Sequence, residues 1–174
     1  MVRLSVSVWP PPEVVAVLAG LDRPALAGVR WSGAEQWLVK VRPLGHVAGR
    51  LVEPLVEALE AELDGAPAVE CTLGPGTRRL GGQWLGAPVR GLEELAEAVF
   101  AATAVLVPVT HPQPFWADVV LARGRVPKEL AGLALSASWT ARSVSLVADR
   151  SAPGVARFED LAVVPLAGPV TGPG

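Results

Sequence analysis

Several residue types are absent from this chain or nearly so. Isoleucine, asparagine and tyrosine do not occur, and lysine occurs only twice among 174 residues. These types have AT-rich codons, so the bias indicates a very GC-rich genome rather than a functional constraint. A single cysteine, Cys71, excludes an internal disulfide and predicts a reducing, cytoplasmic location.

Long apolar runs and an excess of one charge are also missing. No uncharged apolar run reaches about 18 residues, so no membrane span is expected. The N-terminal segment lacks the charged region and cleavage site of a signal peptide. The net charge is −2, which does not favour RNA as the main partner, although 13 of the 15 basic residues are arginine and a local basic groove is compatible with this composition.

The apolar residues, which make up 51% of the chain, are patterned in two ways. Alternation predicts strands over 3–9, 36–42, 68–73, 80–89, 116–123, 139–148 and 161–166. Helical spacing predicts helices over 13–21, 51–63 and 92–102, and a short one over 127–133. This order predicts an α+β domain with an internal pseudo-repeat, spanning 1–167 and followed by a flexible tail over 168–174.

Two strand segments carry the most specific pattern. Residues 36–45 read QWLVKVRPLG after Trp31, and residues 115–123 read FWADVVLAR. Together with the opening strand that ends in proline, they resemble the two-histidine (2H) phosphoesterases, the superfamily of bacterial 2′-5′ RNA ligases and cyclic phosphodiesterases. The resemblance covers about residues 2–167. It implies a bilobal α+β fold, with two pseudo-symmetric antiparallel-sheet lobes, outer helices and a central cleft.

The chain departs from that family at the residues that perform the chemistry. Each family motif carries a histidine that transfers a proton and, two residues later, a threonine or serine that binds phosphate oxygens. In register, the first pair corresponds to Leu38 and Lys40, and the second to Asp118 and Val120. General acid–base catalysis contributes about 10²–10⁴-fold per group, so the ancestral reaction is expected to be severely impaired.

Strand alternation predicts which side chains face the cleft, because residues i and i+2 share a face. Lys40 and Asp118 occupy pseudo-symmetric positions, where they are expected either to form a salt bridge or to support new acid–base chemistry. The other side chains predicted to line the cleft are Leu38, Arg42, Trp116, Val120, Ser5, Ser7 and Trp9.

The loops contribute a few further candidates. His111 precedes the second motif strand and is a third possible acid–base group, whereas His46 follows a turn. Arg78 and Arg79 follow a glycine-rich connection and are expected either to be solvated or to contact phosphate at the cleft rim. Two isolated histidines and one cysteine do not form a credible metal site, so no metal and no cofactor are predicted.

Three functions follow as alternatives. The first is a pseudoenzyme that binds a nucleotide, an RNA end or another small ligand in the cleft. The second is a repurposed enzyme that acts on a small, partly apolar metabolite through Asp118, Lys40 or His111. The third is a protein-interaction module. The sequence does not give the oligomeric state, and a monomer is the default.

Overall fold

The computed structural model describes residues 1–112 and 114–167; the predicted tail over 168–174 lies outside the described residues. Three α-helices occur in this part of the chain: α1 (Pro12–Ala19), α2 (Val52–Glu62) and α3 (Glu93–Thr103). The strands are β1 (Val2–Val8), β2 (Val29–Trp31), β3 (Val39–Val47), β4 (Val69–Leu73), β5 (Arg78–Leu80), β6 (Trp84–Arg90), β7 (Asp118–Gly124), β8 (Ala137–Ala141), β9 (Ser143–Asp149) and β10 (Phe158–Pro165).

The strands form two antiparallel lobes that meet at one point. The order along the sheet is β10-β9-β1-β3-β7-β6-β4-β8, with β2 beside β7 and β5 beside β6. The register that joins β3 to β7 is Val39 opposite Val119, and both side chains are fully buried. The sheet curls into a half-barrel, so the predicted α+β class with two antiparallel lobes and outer helices is confirmed.

Each helix buries one apolar face against the rest of the fold. Pro12 opens α1 at a position where its missing N–H is not needed, and Val14 and Leu18 face inward. In α2 the buried residues are Leu55 and Leu59. This helix packs against α3 and β10, whereas α1 packs against β8. None of the described helices has the length and hydropathy needed to traverse a bilayer.

Several predicted boundaries were wrong. Residues 34–36 form a 3₁₀ turn, and β3 begins at Val39 and continues through Pro43 to Val47 instead of ending at that proline. The strand predicted over 139–148 is two strands, β8 and β9, which lie in different lobes. The helix predicted over 127–133 is a 3₁₀ turn over Lys128–Leu130, and β2 was not predicted.

Register shifts in the β1–β3 pair explain how the strand passes Pro43. Val6 lies opposite Arg42 and Ser7 lies opposite Lys40, so β3 contains one extra residue between them. A second shift places Pro43 opposite Ser5 and lets a residue without an N–H sit inside the strand. Because an extra residue reverses the side-chain alternation, Lys40 and Arg42 face opposite sides of the sheet.

Arg42 therefore does not line the cleft, and that prediction is corrected. Its side chain is buried on the helix side, where it donates to Thr103 Oγ1 at 2.5 Å and to the Val107 carbonyl at 2.6 Å. The guanidinium also lies 5.1 Å from the centre of the Phe100 ring. These contacts place a cation at the C-terminal end of α3, where the helix dipole stabilises positive charge.

Replacing Arg42 by methionine is expected to lower the free energy of unfolding by about 2 kcal/mol, because the Val107 carbonyl loses its charged donor in a partly buried place. Urea unfolding at neutral pH measures the change. The Arg42→Lys variant keeps the charge but not the two-point contact, so its loss should lie between wild type and Arg42→Met. An Arg42→Met variant as stable as wild type would contradict this role.

Candidate functional site

The candidate site lies where β3 and β7 join, on the side of the sheet opposite Arg42. The four positions predicted to correspond to the family motifs flank the Val39–Val119 register. Leu38 is buried, at 4% exposure, and Val120 is half-buried. Lys40 and Asp118 come next to the paired valines on their strands. The join therefore holds one cation, one anion and two aliphatic side chains.

Asp118 is paired with Arg78, not with Lys40. The Asp118 side chain is only 4% exposed, and it accepts Arg78 Nε at 2.9 Å on one oxygen and a second, shorter bond from the same guanidinium on the other. The hydrogen bonds that Arg78 donates to Asp118 raise the pKa of Arg78. Both carboxylate oxygens are thus engaged, and the predicted alternative of a Lys40–Asp118 bridge is replaced by a fork-shaped Arg78–Asp118 pair.

Two neighbours fit closely around this pair. A Cβ at Gly86, which lies on the adjacent strand, would stand 2.6 Å from an Asp118 carboxylate oxygen, so glycine leaves the space that the carboxylate fills. Trp116, which is 60% exposed, lies with its ring centre 5.0 Å from the Arg78 guanidinium. Arg78 is therefore held between a buried carboxylate and an aromatic face.

Lys40 lies instead in a cluster of positive charge. Its electrostatic neighbours are Arg3 on β1, Arg123 on β7 and one carboxylate, Asp149 on β9. Its amine makes no hydrogen bond or salt bridge within the described part of the chain. We call Arg3, Lys40 and Arg123 the cationic cluster; it draws on both lobes and contains more positive charge than Asp149 neutralises.

Burial and neighbouring charges shift the pKa values of Lys40, Arg123 and Asp149. Burial, followed by the nearby Arg3, lowers the pKa of Lys40, and Asp149 only partly opposes this. Burial is also the main cause that lowers the pKa of Arg123. For Asp149, burial alone would raise the pKa, but hydrogen bonds from Ser151 and the charges of Arg3 and Lys40 bring it below its ordinary value. An added anion would relieve this excess of positive charge.

Arg123 is the member of the cluster with an unmet hydrogen-bonding group. Its guanidinium lies 4.6 Å from the ring centre of Trp84, which is the residue opposite it on β6. Its Nε is buried and has no hydrogen-bond partner among the described residues. Arg30 lies opposite Arg123 on β2 and adds further positive charge. A buried N–H of a cation without an acceptor is costly unless a ligand supplies one.

The predicted residues of β1 lie close to this cluster. Ser5 and Ser7 are both buried on the site side of the sheet, and their hydroxyl oxygens are 2.9 Å apart. Ser7 pairs with Lys40 across the strands. Trp9 is half-buried, and its indole N–H donates to Asp160 at 2.9 Å. This contact holds the ring against β10.

The remaining candidates lie outside the cluster. The Arg79 side chain donates from Nε to the Val126 carbonyl at 2.9 Å, which makes it a support for the loop. His111 is exposed, with Thr110 Oγ1 at 3.2 Å, and no described hydrogen bond links it to Lys40 or Asp118. Burial raises the pKa of the Cys71 thiol to about 11, so this residue is a poor nucleophile.

The cationic cluster borders a small cavity, and a larger groove lies elsewhere on the surface. A small cavity of about 50 Å³ lies against the cluster, lined by Arg3, Ser5, Lys40, Asp149 and Phe158 among others. A larger groove of about 590 Å³ lies between α1 and residues 133–136; it is shallow and open and contains none of the cluster residues. Among the described residues, no group of three or more His, Cys, Asp or Glu side chains is placed to hold a metal ion.

The sequence interpretation missed Arg3, Arg30, Trp84, Arg123 and Asp149. Arg3 could have been found, because it shares a strand face with Ser5 and Ser7 by simple alternation. Arg123 was recognised as part of a motif but was not assigned to the site, because a register shift after Leu85 returns it to the site side of β7. Asp149 reaches the site only through the pairing of β9 with β1, which the sequence does not reveal.

Replacing Lys40 by methionine is expected to raise the free energy of unfolding at neutral pH by about 1 kcal/mol, because a partly buried cation beside two arginines is removed. Since folding lowers the pKa of Lys40, the folded state binds its proton less tightly than the unfolded chain does. The gain should be full at neutral pH and should shrink as the pH rises through the lowered pKa toward the ordinary lysine value of about 10.4. Urea unfolding at neutral and alkaline pH measures both parts; a destabilised variant would contradict the argument.

Comparisons with known proteins agree on the fold. No protein-family model matches the chain, and no curated protein matches its sequence. Among solved structures, TT0787 of Thermus thermophilus superposes with a TM-score of 0.82 at 21% identity, covering 95% of this chain and 98% of the other. E. coli LigT in its apo form superposes with a TM-score of 0.80 at 20% identity, covering 95% and 97%. A protein described as a phosphoesterase gives 0.80 at 20%, covering 95% and 98%.

These similarities define the class of fold. The chain has the LigT-like fold of the 2H phosphoesterases over nearly its whole length, and the resemblance seen in the sequence is confirmed at that level.

Proposed function

We propose that this chain is a catalytically silent protein of the 2H fold that binds a small anionic ligand, such as a phosphate-bearing nucleotide, at the cationic cluster. The single observation that carries the proposal is the buried Arg123 Nε, a cationic donor with no acceptor among the described residues. It belongs to a cluster in which Arg3, Lys40 and Arg123 outnumber the one nearby carboxylate. Such a cluster gains most from an anion that accepts several hydrogen bonds.

The side chains at the predicted motif positions support the proposal that the chain is catalytically silent. Proton transfer needs an acid and a base within reach of the reacting oxygens. Leu38 and Val120 have no transferable proton, and both oxygens of Asp118 are occupied by Arg78. Lys40 alone does not provide an acid and a base together. The site can therefore hold charge without performing the paired proton transfers.

The ligands of the structural neighbours support the proposal that the chain binds a small anion. E. coli LigT has been crystallised with phosphate, 3′-AMP, ATP and NADP⁺. All four carry phosphoryl oxygens. We extend that ligand class to this chain, because arginine suits such oxygens and three cations meet at the join of its lobes. Its net charge of −2 argues for a small anion rather than a long RNA. We also propose a cytoplasmic location, in line with the single, free Cys71.

The test combines turnover with binding. Purified protein is incubated with 2′,3′-cyclic nucleotides, and phosphate or 3′-AMP is titrated by calorimetry and by tryptophan fluorescence. We expect no hydrolysis above background, because two lost proton-transfer groups together cost at least about 10⁴-fold. We also expect saturable binding that weakens with salt. Multiple turnover of the cyclic nucleotide would overturn catalytic silence, and an absence of binding by both anions would overturn the ligand class.

A fluorescence control identifies the site. Trp84 lies under Arg123, so the Trp84→Phe variant should lose most of the signal change while calorimetry still detects binding. The Trp139→Phe variant serves as the matched control, because Trp139 is buried on β8 at the far end of the sheet order. A signal that persists in Trp84→Phe and disappears in Trp139→Phe would place the anion elsewhere.

A further inference from the structure

Lys40 differs from an ordinary surface lysine in its surroundings. Its side chain is half-buried at the join of the lobes, and it lines the cavity of about 50 Å³ together with Arg3, Ser5 and Asp149. The amine has no hydrogen-bond or salt-bridge partner among the described residues, and its nitrogen is not one of their fully buried polar atoms, so it remains accessible from the cavity. Lys40 also takes no part in the Arg78–Asp118 pair.

The surroundings of Lys40 make its amine easier to deprotonate than that of an ordinary lysine. The groups that face it are Arg3 from β1, Arg123 from β7 and Asp149 from β9. Burial and the two arginines outweigh Asp149, so the pKa of the Lys40 amine is lowered. A desolvated lysine beside other cationic groups is the arrangement that activates an amine as a nucleophile, because only the neutral amine attacks a carbonyl carbon.

We propose that Lys40 is a nucleophilic amine that forms an imine with a small anionic carbonyl compound, such as a short 2-oxo or aldehyde acid. The proposal rests on the anion site put forward above, because Arg3 and Arg123 would hold the carboxylate or phosphate of the compound. The Lys40 nitrogen bonds to the carbonyl carbon. Both hydrogens of the neutral amine leave with the carbonyl oxygen as water, and a carbon–nitrogen double bond remains.

The size of the cavity limits the compound. A volume of about 50 Å³ holds a few waters, since one water needs roughly 10–15 Å³ of space for its centre. The cavity accommodates the carbonyl end of a short molecule, and any larger group would extend out of it. The Ser5 and Ser7 hydroxyls lie on the same face of the sheet and offer hydrogen bonds to a second polar group. A two-carbon oxo acid is therefore the smallest probe that contains every feature required.

The chain itself supplies an internal standard for the test. It contains two lysines, Lys40 and the exposed Lys128, besides its N-terminal amine. The full-length protein is treated with glyoxylate and cyanoborohydride at neutral pH, and carboxymethylation is followed by peptide mass mapping. We expect Lys40 to be modified at least about tenfold faster than Lys128, because the bound carboxylate raises the local concentration of the aldehyde.

Matched controls test whether the reaction is specific to Lys40 and whether it depends on the anion site. The Lys128→Arg variant should leave the modification rate of Lys40 unchanged, and the Lys40→Arg variant should leave that of Lys128 unchanged. Added phosphate should slow the reaction of Lys40 and not that of Lys128. Acetaldehyde, which has no anionic group, should show a smaller preference for Lys40 than glyoxylate does.

The outcomes distinguish this inference from the proposed function. Equal modification of both lysines, with phosphate binding intact, overturns the nucleophile and leaves the anion site standing. Rapid modification of Lys40 that phosphate does not slow overturns the assignment of Arg3 and Arg123 as the carboxylate holders. Loss of phosphate binding together with unselective modification overturns both proposals.

Discussion

Replacing Asp118 by alanine is expected to lower the free energy of unfolding by about 3 kcal/mol, because Arg78 loses its carboxylate contact and a space opens beside Gly86. The value lies at the low end for a buried pair, since the Arg78 side chain is 35% exposed and water screens it. Urea unfolding at neutral pH, followed by tryptophan fluorescence and circular dichroism, measures the change.

Two further variants test the origin of that loss. Asp118→Asn preserves the shape and one acceptor oxygen, so its loss should be about half that of the alanine variant. A double-mutant cycle with Arg78→Met should give a coupling energy above about 1 kcal/mol, because the two side chains contact each other directly. Additive losses would show that Asp118 stabilises the fold by packing alone and would contradict the pair.

Replacing Arg123 by glutamine is expected to weaken phosphate binding by roughly 30- to 100-fold, which corresponds to the 2–3 kcal/mol of a charged hydrogen bond in a partly buried site. Glutamine retains most of the side-chain length and a donor, so the variant removes chiefly the charge. Stability should change little or rise, because the buried Nε without an acceptor is removed as well. Calorimetric titration with phosphate at fixed salt measures the affinity.

The matched variant for this measurement is Arg125→Gln. Arg125 is exposed, lies two residues away and is not among the charges that perturb Lys40 or Asp149. Its replacement removes one positive charge from the same turn and should change the affinity by less than about threefold, the effect of one screened surface charge. Equal losses in the two variants would mean that the anion responds to overall charge and does not contact Arg123.

The fold was largely predictable from the sequence, and the reasons are local. The alternation in β1 and the apolar stripes of α2 and α3 are properties of short segments, and each predicted the correct element within a few residues. The two motif-like segments were predicted to be strands of the cleft, and the structure pairs them at Val39 and Val119. The errors arose where contacts between residues far apart in sequence determine the strand boundaries. Residues 139–148 are an example, because they cross from one lobe to the other.

The site was predictable in its location but not in its pairing. Leu38, Lys40, Asp118 and Val120 do meet around the Val39–Val119 register. Arg42 was assigned to the wrong face because one extra residue in β3 reverses the alternation. Arg78 was predicted at the rim, yet β5 pairs with β6 and places it directly on Asp118. No pattern within one strand contains that information.

The sequence by itself determined that positions 38, 40, 118 and 120 hold leucine, lysine, aspartate and valine and neither histidine nor threonine, because identity at a position needs no coordinates. It also determined the strand faces wherever alternation is uninterrupted. The tertiary structure alone decided which charges meet: Asp118 with Arg78, and Lys40 with Arg3, Arg123 and Asp149. The physical reason is that bulges and strand order set the distances between charges. Coulomb energy depends on those distances and on burial, and not on separation along the chain.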